Sequence, residues 1–287
     1  MGDSNTLEIP GHVRLAQDAG GLPKILIQTA WSRAEIYLHG AHLTGFQKIG
    51  EAPLLFMSAA SEFTAGKPIR GGVPLIFPWF GPREGLPAHG FARTAAWDLK
   101  ETTALTDGAV TLRFRLPGVP NFQVEYLVTV AENLTLELSV GNTTDQDSTF
   151  ETCLHTYFQI SAIHDISITG LAGTSYLDKV ANSEATEKSA GLRIASEVDR
   201  VYFDTSAAIE ILDPGFKRKI RIDTAGSHST VVWNPWIEKS MRLADFRDDE
   251  YLQMVCVESG NVAKNQITLP PGGHARLKVE IRSEKLA

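Results

Sequence analysis

The chain is a succession of short strand-like segments, and this pattern constrains its fold more than any other feature. Many segments are rich in β-branched and aromatic residues, and several alternate apolar with polar side chains, as in Thr111–Leu116 and Leu134–Val140. Such alternation is typical of strands that bury one face. The predicted strands include Lys24–Thr29, Ala34–His39, Val110–Leu116, Phe122–Val130, Leu134–Asn142, Ile166–Thr169, Ala208–Leu212, Lys219–Asp223, Thr230–Trp233, Gln253–Val257 and Ala275–Arg282.

Helical patterns are almost absent between these strands. Glycine, proline, asparagine and aspartate separate the segments, as in Pro270–Gly273, and only Arg193–Val198 and Asp245–Glu250 have room for a turn or two of helix. Many short strands with few helices favour an all-β sandwich or barrel. No composition break or linker divides the chain, so we predict a single domain over residues 1–287.

Composition and charge exclude several classes of function. The formal net charge is -7, so no overall basic field draws the protein to nucleic acid. The longest apolar runs, such as Gly72–Phe80, are too short to span a bilayer, and the N-terminus lacks the pattern of a secretory signal. Cys153 and Cys256 lie in apolar runs and are expected to be buried thiols. We therefore predict a cytoplasmic protein, a monomer with no membrane or nucleic-acid partner.

No motif for a cofactor or a metal is present. The sequence contains no phosphate-binding loop, no Gly-x-Gly-x-x-Gly opening a helix, no His-Glu-x-x-His and no paired Cys-x-x-Cys. The histidines show no spacing typical of metal ligands. We expect neither a cofactor nor a metal.

One loop concentrates basic side chains at close sequence range. Arg70 precedes two glycines, which allow a tight turn and close passage of the backbone by a ligand, and prolines downstream disfavour a regular central strand. Arg83, His89 and Arg93 follow in the same stretch of sequence. Three guanidinium groups and an imidazole are a plausible grip for a sugar phosphate. The alternative is a structural loop whose arginines pair with surface carboxylates.

Three further polar residues stand out in apolar surroundings. His155 lies in a predicted strand, where a hydrogen-bonded core histidine is the alternative to a catalytic one. Glu258 closes an apolar strand before a predicted Ser-Gly-Asn turn, and a carboxylate in such a place needs partners or a raised pKa. It is the best candidate for a general base, with a solvated strand-end glutamate as the alternative. Asp199 and Arg200 could pair with each other.

Together, these segments resemble the aldose 1-epimerase superfamily, and within it the hexose-6-phosphate mutarotase group. The ordered set is more specific than any one of its motifs, and with the strand-rich flanks it covers nearly the whole chain. One departure is Glu-Ser-Gly at Glu258, where family members commonly carry Glu-Pro-Gly. The motifs are Arg70–Pro74, Phe77–Gly81, His89–Arg93, Leu154–Phe158, Asp199–Tyr202, Val232–Trp236, Asp248–Tyr251 and Cys256–Asn261.

The resemblance implies a large antiparallel β-sandwich of the galactose mutarotase-like supersandwich type. It implies that His155 is the general acid and Glu258 the general base of a reaction that interconverts the α and β anomers of a hexose 6-phosphate. Arg70, His89 and Asp199 match positions that hold the sugar, and Arg93 is a plausible phosphate ligand. A phosphate role for Arg83 is our inference from its place in the loop.

Three alternatives remain open. The substrate could be a free aldose, which the clustered arginines disfavour. The protein could bind carbohydrate without catalysis, although a binding module needs neither His155 nor Glu258. A lyase or hydrolase would normally need a different acid–base set, so it carries little weight.

Overall fold

The structure is a computed structural model, described over residues 7–286, and its regular secondary structure is almost entirely β-strand. The only α-helix in that range is α1, Trp236–Ser240, and three 3₁₀ turns cover Ala92–Thr94, Glu250–Gln253 and Ala263–Asn265. The strands are β1 Val13–Gln17, β2 Pro23–Gln28, β3 Ser32–Tyr37, β4 His42–Lys48, β5 Leu75–Ile76, β6 Asp98–Ala104, β7 Val110–Leu116, β8 Phe122–Val130, β9 Leu134–Asn142, β10 Ser148–Phe150, β11 Thr152–Leu154, β12 Tyr157–Gln159, β13 Ser167–Thr169, β14 Ser175–Asp178, β15 Ser183–Thr186, β16 Val198–Phe203, β17 Ile209–Asp213, β18 Arg218–Ala225, β19 Ser229–Asn234, β20 Met254–Asn261, β21 Ile267–Leu269 and β22 His274–Lys285.

One eight-stranded antiparallel sheet, here named the meander sheet, has the order β13-β17-β18-β22-β9-β8-β7-β6. Four of its strands, β6 to β9, follow one another in the chain and pair as neighbours. In β7 the residues Leu112 and Phe114 are fully buried, whereas Arg113 and Arg115 are exposed. The alternation seen in the sequence therefore sets which face of this sheet packs into the core.

The second eight-stranded sheet, here named the groove sheet, has the order β15-β14-β16-β19-β20-β11-β5, and β12 also pairs with β20. On one face, Val198, Val232 and Val257 belong to the same hydrophobic cluster as Leu112 and Phe114 of the meander sheet. The two sheets thus share a core as the layers of a sandwich. The opposite face of the groove sheet carries the polar residues described below.

Two smaller sheets complete the architecture. Strands β1 to β4 form a four-stranded antiparallel sheet, and β10 pairs with β21. Buried residues of the first sheet, such as Ile27 and Phe46, join the main hydrophobic cluster. The predicted all-β antiparallel sandwich is confirmed. In residues 7–286 no helix has the length and apolar character needed to cross a membrane.

Local predictions near the site need correction. Residues 193–198 form no helix, and the α-helix lies at Trp236–Ser240, where Asn234 Oδ1 accepts a hydrogen bond from Trp236 N at 2.9 Å. The expected turn after Glu258 is wrong, because β20 continues to Asn261. Gly260 serves close strand packing instead of a turn, since a Cβ there would lie 2.8 Å from Cys153 Cα.

Candidate active site

The polar face of the groove sheet is built by strand register. Cross-strand pairing places Asp199 of β16 beside Trp233 of β19, and Trp233 beside Cys256 of β20. Two residues further along β20, Glu258 pairs with Val231 and points to the same face as Cys256. Glu258 is 1% exposed, so its carboxylate lies on the floor of the site instead of at a solvated strand end.

His155 lies in the short break between β11 and β12, not inside a regular strand. Its backbone N–H donates to Pro74 O at 3.0 Å, and its ring stacks on Tyr157 with centroids 4.9 Å apart. His155 Nε2 is 3.3 Å from Glu258 Oε1, while Nδ1 is buried without a hydrogen-bond partner in the described chain. The break in the strand therefore brings an imidazole against the buried carboxylate.

Arg70 is held in place by a turn and by two partners. Gly71 and Gly72 have φ of 116° and 59°, and a Cβ on Gly71 would lie 2.5 Å from a backbone oxygen, so the glycines permit close packing on neighbouring chain segments and not on a ligand. The guanidinium donates to both carboxylate oxygens of Asp245, at 3.2 and 3.0 Å, and to Tyr157 Oη at 3.1 Å. Asp245 neutralises Arg70 and fixes its orientation.

His89 comes from the loop that packs over the site. Its backbone φ is 65°, and its ring lies edge-on to His155 with centroids 5.8 Å apart and edge-on to Phe80 at 4.9 Å. Burial, followed by the charge of nearby Arg93, lowers the pKa of His89 to about 3. At neutral pH this ring is therefore an uncharged donor or acceptor.

Asp199 faces two lysines across the site. Its carboxylate oxygens lie 3.7 Å from Lys179 Nζ and 3.6 Å from Lys239 Nζ. Lys239 has a closer partner in Glu197, at 3.0 Å, whereas Lys179 has no shorter ion pair in the described residues. The alternative pairing of Asp199 with Arg200 is wrong, because strand neighbours point to opposite faces.

The other two arginines of the predicted set occupy different places. Arg93 Nη2 donates to Ala88 O at 2.8 Å, and its buried Nε has no partner in residues 7–286. Its positive charge lowers the pKa values of His89 and His155, so Arg93 lies near the site. Arg83 is half-exposed, stacked over Trp79 at 5.0 Å and 3.9 Å from Glu151, so the structure does not bring it into the cavity lining.

The side chains around His155 and Glu258 enclose a cavity of about 180 Å³, and its lining includes neither Arg83 nor Arg93. A larger cavity, of about 700 Å³, lies against strands β1 to β4 and contains none of the predicted site residues. Cavity size alone would therefore not identify His155 and Glu258 as site residues. The lining of the smaller cavity is Arg70, Phe80, His89, His155, Tyr157, Lys179, Asp199, Val231, Trp233, Lys239, Leu243 and Glu258.

Burial shifts the central pair in opposite directions. It lowers the pKa of His155 well below its ordinary value, and the positive charges around the ring act in the same sense. Burial, followed by the negative charge of Asp199, raises the pKa of Glu258 well above its ordinary value. Each group thus favours its neutral form, and the pair is suited to exchange a proton with a bound molecule.

Several residues of the site were missed by sequence reasoning. Tyr157 lies two residues after His155 in a motif that was noticed, so its contacts with the site residues Arg70 and His155 could have been expected. Lys179, Lys239 and Asp245 carried no such signal, because they are single charged residues in turns or, for Lys239, in the short helix. Trp233 was in a recognised motif, but only strand pairing shows that it lies beside Cys256.

Comparison with solved structures identifies the class of protein. The fold matches a Salmonella typhimurium structure provisionally named a mutarotase, with a TM-score of 0.89, 29% identity and coverage of 96% of this chain and 95% of that chain. It also matches galactose 1-epimerase from Lactobacillus acidophilus, with a TM-score of 0.72, 15% identity and coverage of 96% and 99%. The second likeness concerns the fold alone. The sandwich is of the galactose mutarotase-like class.

Sequence comparison gives the family. The family model of aldose 1-epimerase matches residues 23–282. The chain is 34% identical over 254 residues to an Escherichia coli (strain K12) protein provisionally named glucose-6-phosphate 1-epimerase, covering 85% of each. A Cenchrus ciliaris protein of the same provisional name is 32% identical over 286 residues, with 93% of this chain and 86% of the relative covered. The chain belongs to the aldose 1-epimerase family.

Proposed function

We propose that the protein interconverts the α and β anomers of hexose 6-phosphates, with glucose 6-phosphate as the expected substrate. The observation that carries this proposal is the buried pair of His155 and Glu258, 3.3 Å apart on the floor of a cavity with several cations. The provisional names of the Escherichia coli and Cenchrus ciliaris relatives support the choice of substrate.

The proposed reaction opens and closes the sugar ring. Starting from a Glu258 carboxylate and a His155 imidazolium, Glu258 takes the proton of the C1 hydroxyl, the C1–O5 bond breaks as C1=O1 forms, and His155 gives its extra proton to O5. Rotation about C1–C2 and the reverse transfers close the ring on the other face. Opening leaves a neutral imidazole and a neutral carboxyl group, which is the state that burial favours for both residues.

Charge pairing supports the assignment of different binding residues to the sugar hydroxyls and to the phosphate. We assign the sugar hydroxyls to Arg70, His89 and Asp199, because Arg70 is neutralised by Asp245 and His89 is uncharged. We assign the phosphate to Lys179, which lines the cavity and whose ion pair with Asp199 is long at 3.7 Å, and to Arg93, which has no ion pair in the described residues.

Arg83 stays outside this set. Its guanidinium rests on Trp79 and is half-exposed, so a phosphate contact would require the loop to move.

We further propose that the protein acts in the cytoplasm as a single-domain monomer. Two buried cysteines without a disulfide suit a reducing compartment. Residues from the meander sheet, the groove sheet and the four-stranded sheet share one hydrophobic cluster, which suits a single folding unit. Sedimentation of the purified protein would test the monomer, and a dimeric mass would contradict it.

Anomer-exchange NMR tests the function. We expect the protein to accelerate exchange of glucose 6-phosphate more than exchange of glucose or galactose. Acceleration of free sugars only would make it an epimerase of free aldoses. No acceleration with any of these sugars, together with measurable sugar binding, would leave a carbohydrate-binding protein.

A further inference from the structure

A thiol lies beside the acid–base pair and has no part in the proposed reaction. Cys256, His155 and Glu258 each offer one ligand atom, and these three atoms lie within 4.8 Å of one another. All three residues are buried, and Cys256 and Glu258 point to the same face because they are two residues apart on β20. A thiol, an imidazole and a carboxylate therefore converge on one point, where His155 and Glu258 line the cavity and Cys256 is buried beside them.

This donor set matches the chemistry of a borderline-soft divalent metal. Zinc takes thiolate, imidazole and carboxylate ligands, and its usual bond lengths put two tetrahedral ligand atoms about 3.3–3.6 Å apart. The separation of His155 Nε2 from Glu258 Oε1 is already 3.3 Å. The thiol would need to approach by at most about 1.2–1.5 Å, starting from the 4.8 Å limit of the cluster, to complete such a geometry.

A second observation points to an unfilled bonding position. His155 Nδ1 is buried and has no hydrogen-bond partner in residues 7–286, although buried ring nitrogens are normally paired. Either ring nitrogen can bind a metal, and the other then needs a partner or water. The imidazole is thus not committed by its surroundings to a single hydrogen-bonded arrangement.

We propose that His155, Cys256 and Glu258 form an inhibitory site for a divalent metal ion, with Zn²⁺ as the expected ligand. Three protein ligands leave the fourth tetrahedral position open toward the cavity. A bound ion engages both groups of the acid–base pair, so neither can exchange a proton with the sugar. Metal binding itself does not depend on the proposed function, whereas inhibition of anomer exchange rests on it.

The test uses Co²⁺ as a spectroscopic probe and Zn²⁺ as the inhibitor of the purified, metal-free protein. We expect one equivalent of Co²⁺ to produce a thiolate-to-metal charge-transfer band that Zn²⁺ removes. Zn²⁺ should also slow exchange of glucose 6-phosphate, and a chelator should restore the rate. The reversal distinguishes metal binding from oxidation of the thiol.

Cys153 provides a matched control, because it is also buried and its thiol is 3.5 Å from Glu258 Oε2, yet it lies outside the cluster. Cys256→Ser should lose the band and weaken Zn²⁺ binding by about 100-fold or more, as expected for loss of a direct ligand when outer partners alone are worth 10–100-fold. Cys153→Ser should keep the charge-transfer band and the wild-type affinity for Zn²⁺. Cys256→Ala repeats the test if the serine variant is unfolded by circular dichroism.

The outcomes separate the two proposals. A charge-transfer band that survives in Cys256→Ser and Cys256→Ala, or no band in the wild type, overturns the metal site. A band without any anomer exchange in the metal-free wild type leaves the metal site standing and rejects the proposed function. Inhibition should be compared with the metal-free rate of each variant.

Discussion

The meander sheet and the groove sheet have the same number of strands and use their buried faces differently. In the meander sheet, buried positions such as Leu112, Phe114 and Val128 are apolar and contribute to the shared core. In the groove sheet, one face joins that core, while the other buries His155 and Glu258. Burial stabilises an apolar side chain, but it penalises a charged group unless the group is paired or neutral.

The comparison indicates that burial alone does not reveal what a residue contributes. Leu112 and Glu258 are almost equally inaccessible, at 0% and 1% exposed. We expect removal of the leucine side chain to reduce stability, and removal of the carboxylate to reduce the reaction rate. Substitutions on the two sheets test this division.

Glu258→Gln should lower the rate of anomer exchange by about 10²–10⁴-fold, the usual contribution of a positioned acid or base. Glutamine keeps the shape of the side chain but cannot take the proton of the C1 hydroxyl. Because burial already disfavours the charged carboxylate, the free energy of unfolding at neutral pH should not fall. Exchange NMR and urea unfolding measure the two effects. A variant that unfolds easily but exchanges at the wild-type rate would reverse the comparison.

Leu112→Ala should reduce the free energy of unfolding by about 2–5 kcal/mol, the range for a buried leucine that leaves a cavity. The site lies on the other face of the other sheet, so kcat for glucose 6-phosphate should stay near the wild-type value. Thr111→Ala on the same strand is the control, and it should change stability by less than about 0.5 kcal/mol. Equal losses in both variants would show that the alternation of β7 does not set its packing.

The sequence predicted the meander sheet better than the groove sheet for a physical reason. Val110–Leu116, Phe122–Val130 and Leu134–Asn142 were predicted with the bounds that the structure has. Consecutive strands pair locally, and each buries one face, so periodicity and turn residues contain most of the information. The groove sheet instead combines short strands from distant parts of the chain, whose pairing leaves little local pattern.

The site was predicted in its motifs but not in its supporting contacts. His155 and Glu258 were singled out because polar residues in apolar runs are unusual. The pairing of Arg70 with Asp245 joins residues 175 positions apart, and no local pattern reports such a contact. Gly260 looked like part of a turn, although its small size serves strand packing. The missed pairing of Arg70 with Asp245 and the wrong turn at Gly260 both concern tertiary contacts, which local sequence patterns do not report.

His42 gives the pH dependence of the turn that supports Arg70. Its Nε2 donates to Gly71 O at 2.8 Å, and burial lowers its pKa to about 3, with His39 and Arg93 acting in the same direction. The unfolded chain binds a proton at His42 below about pH 6.5, whereas the folded protein does not. His42 therefore leaves the free energy of unfolding unchanged above about pH 6.5 and lowers it as the pH falls from there toward 3.

Acidification from pH 7 to pH 5 should thus remove about 2 kcal/mol of unfolding free energy through His42 alone. In His42→Gln that part of the loss should disappear, whereas in His228→Gln, which changes an exposed histidine, the loss should be unchanged. Urea titrations at the two pH values measure the difference. The same pH dependence in wild type and His42→Gln would contradict a buried neutral imidazole.

Lys179→Met sharpens the comparison inside the groove sheet, because it separates substrate preference from catalysis. We expect kcat/KM for glucose 6-phosphate, relative to that for glucose, to fall about tenfold or more when a charged hydrogen bond to phosphate is lost. Lys264→Met is the matched control, since both lysines lie over a phenylalanine ring, at 5.3 and 4.1 Å, but Lys264 does not line the cavity. An equal loss for both sugars would assign Lys179 to the electrostatics of Asp199 and Glu258, and the phosphate would then depend on Arg93.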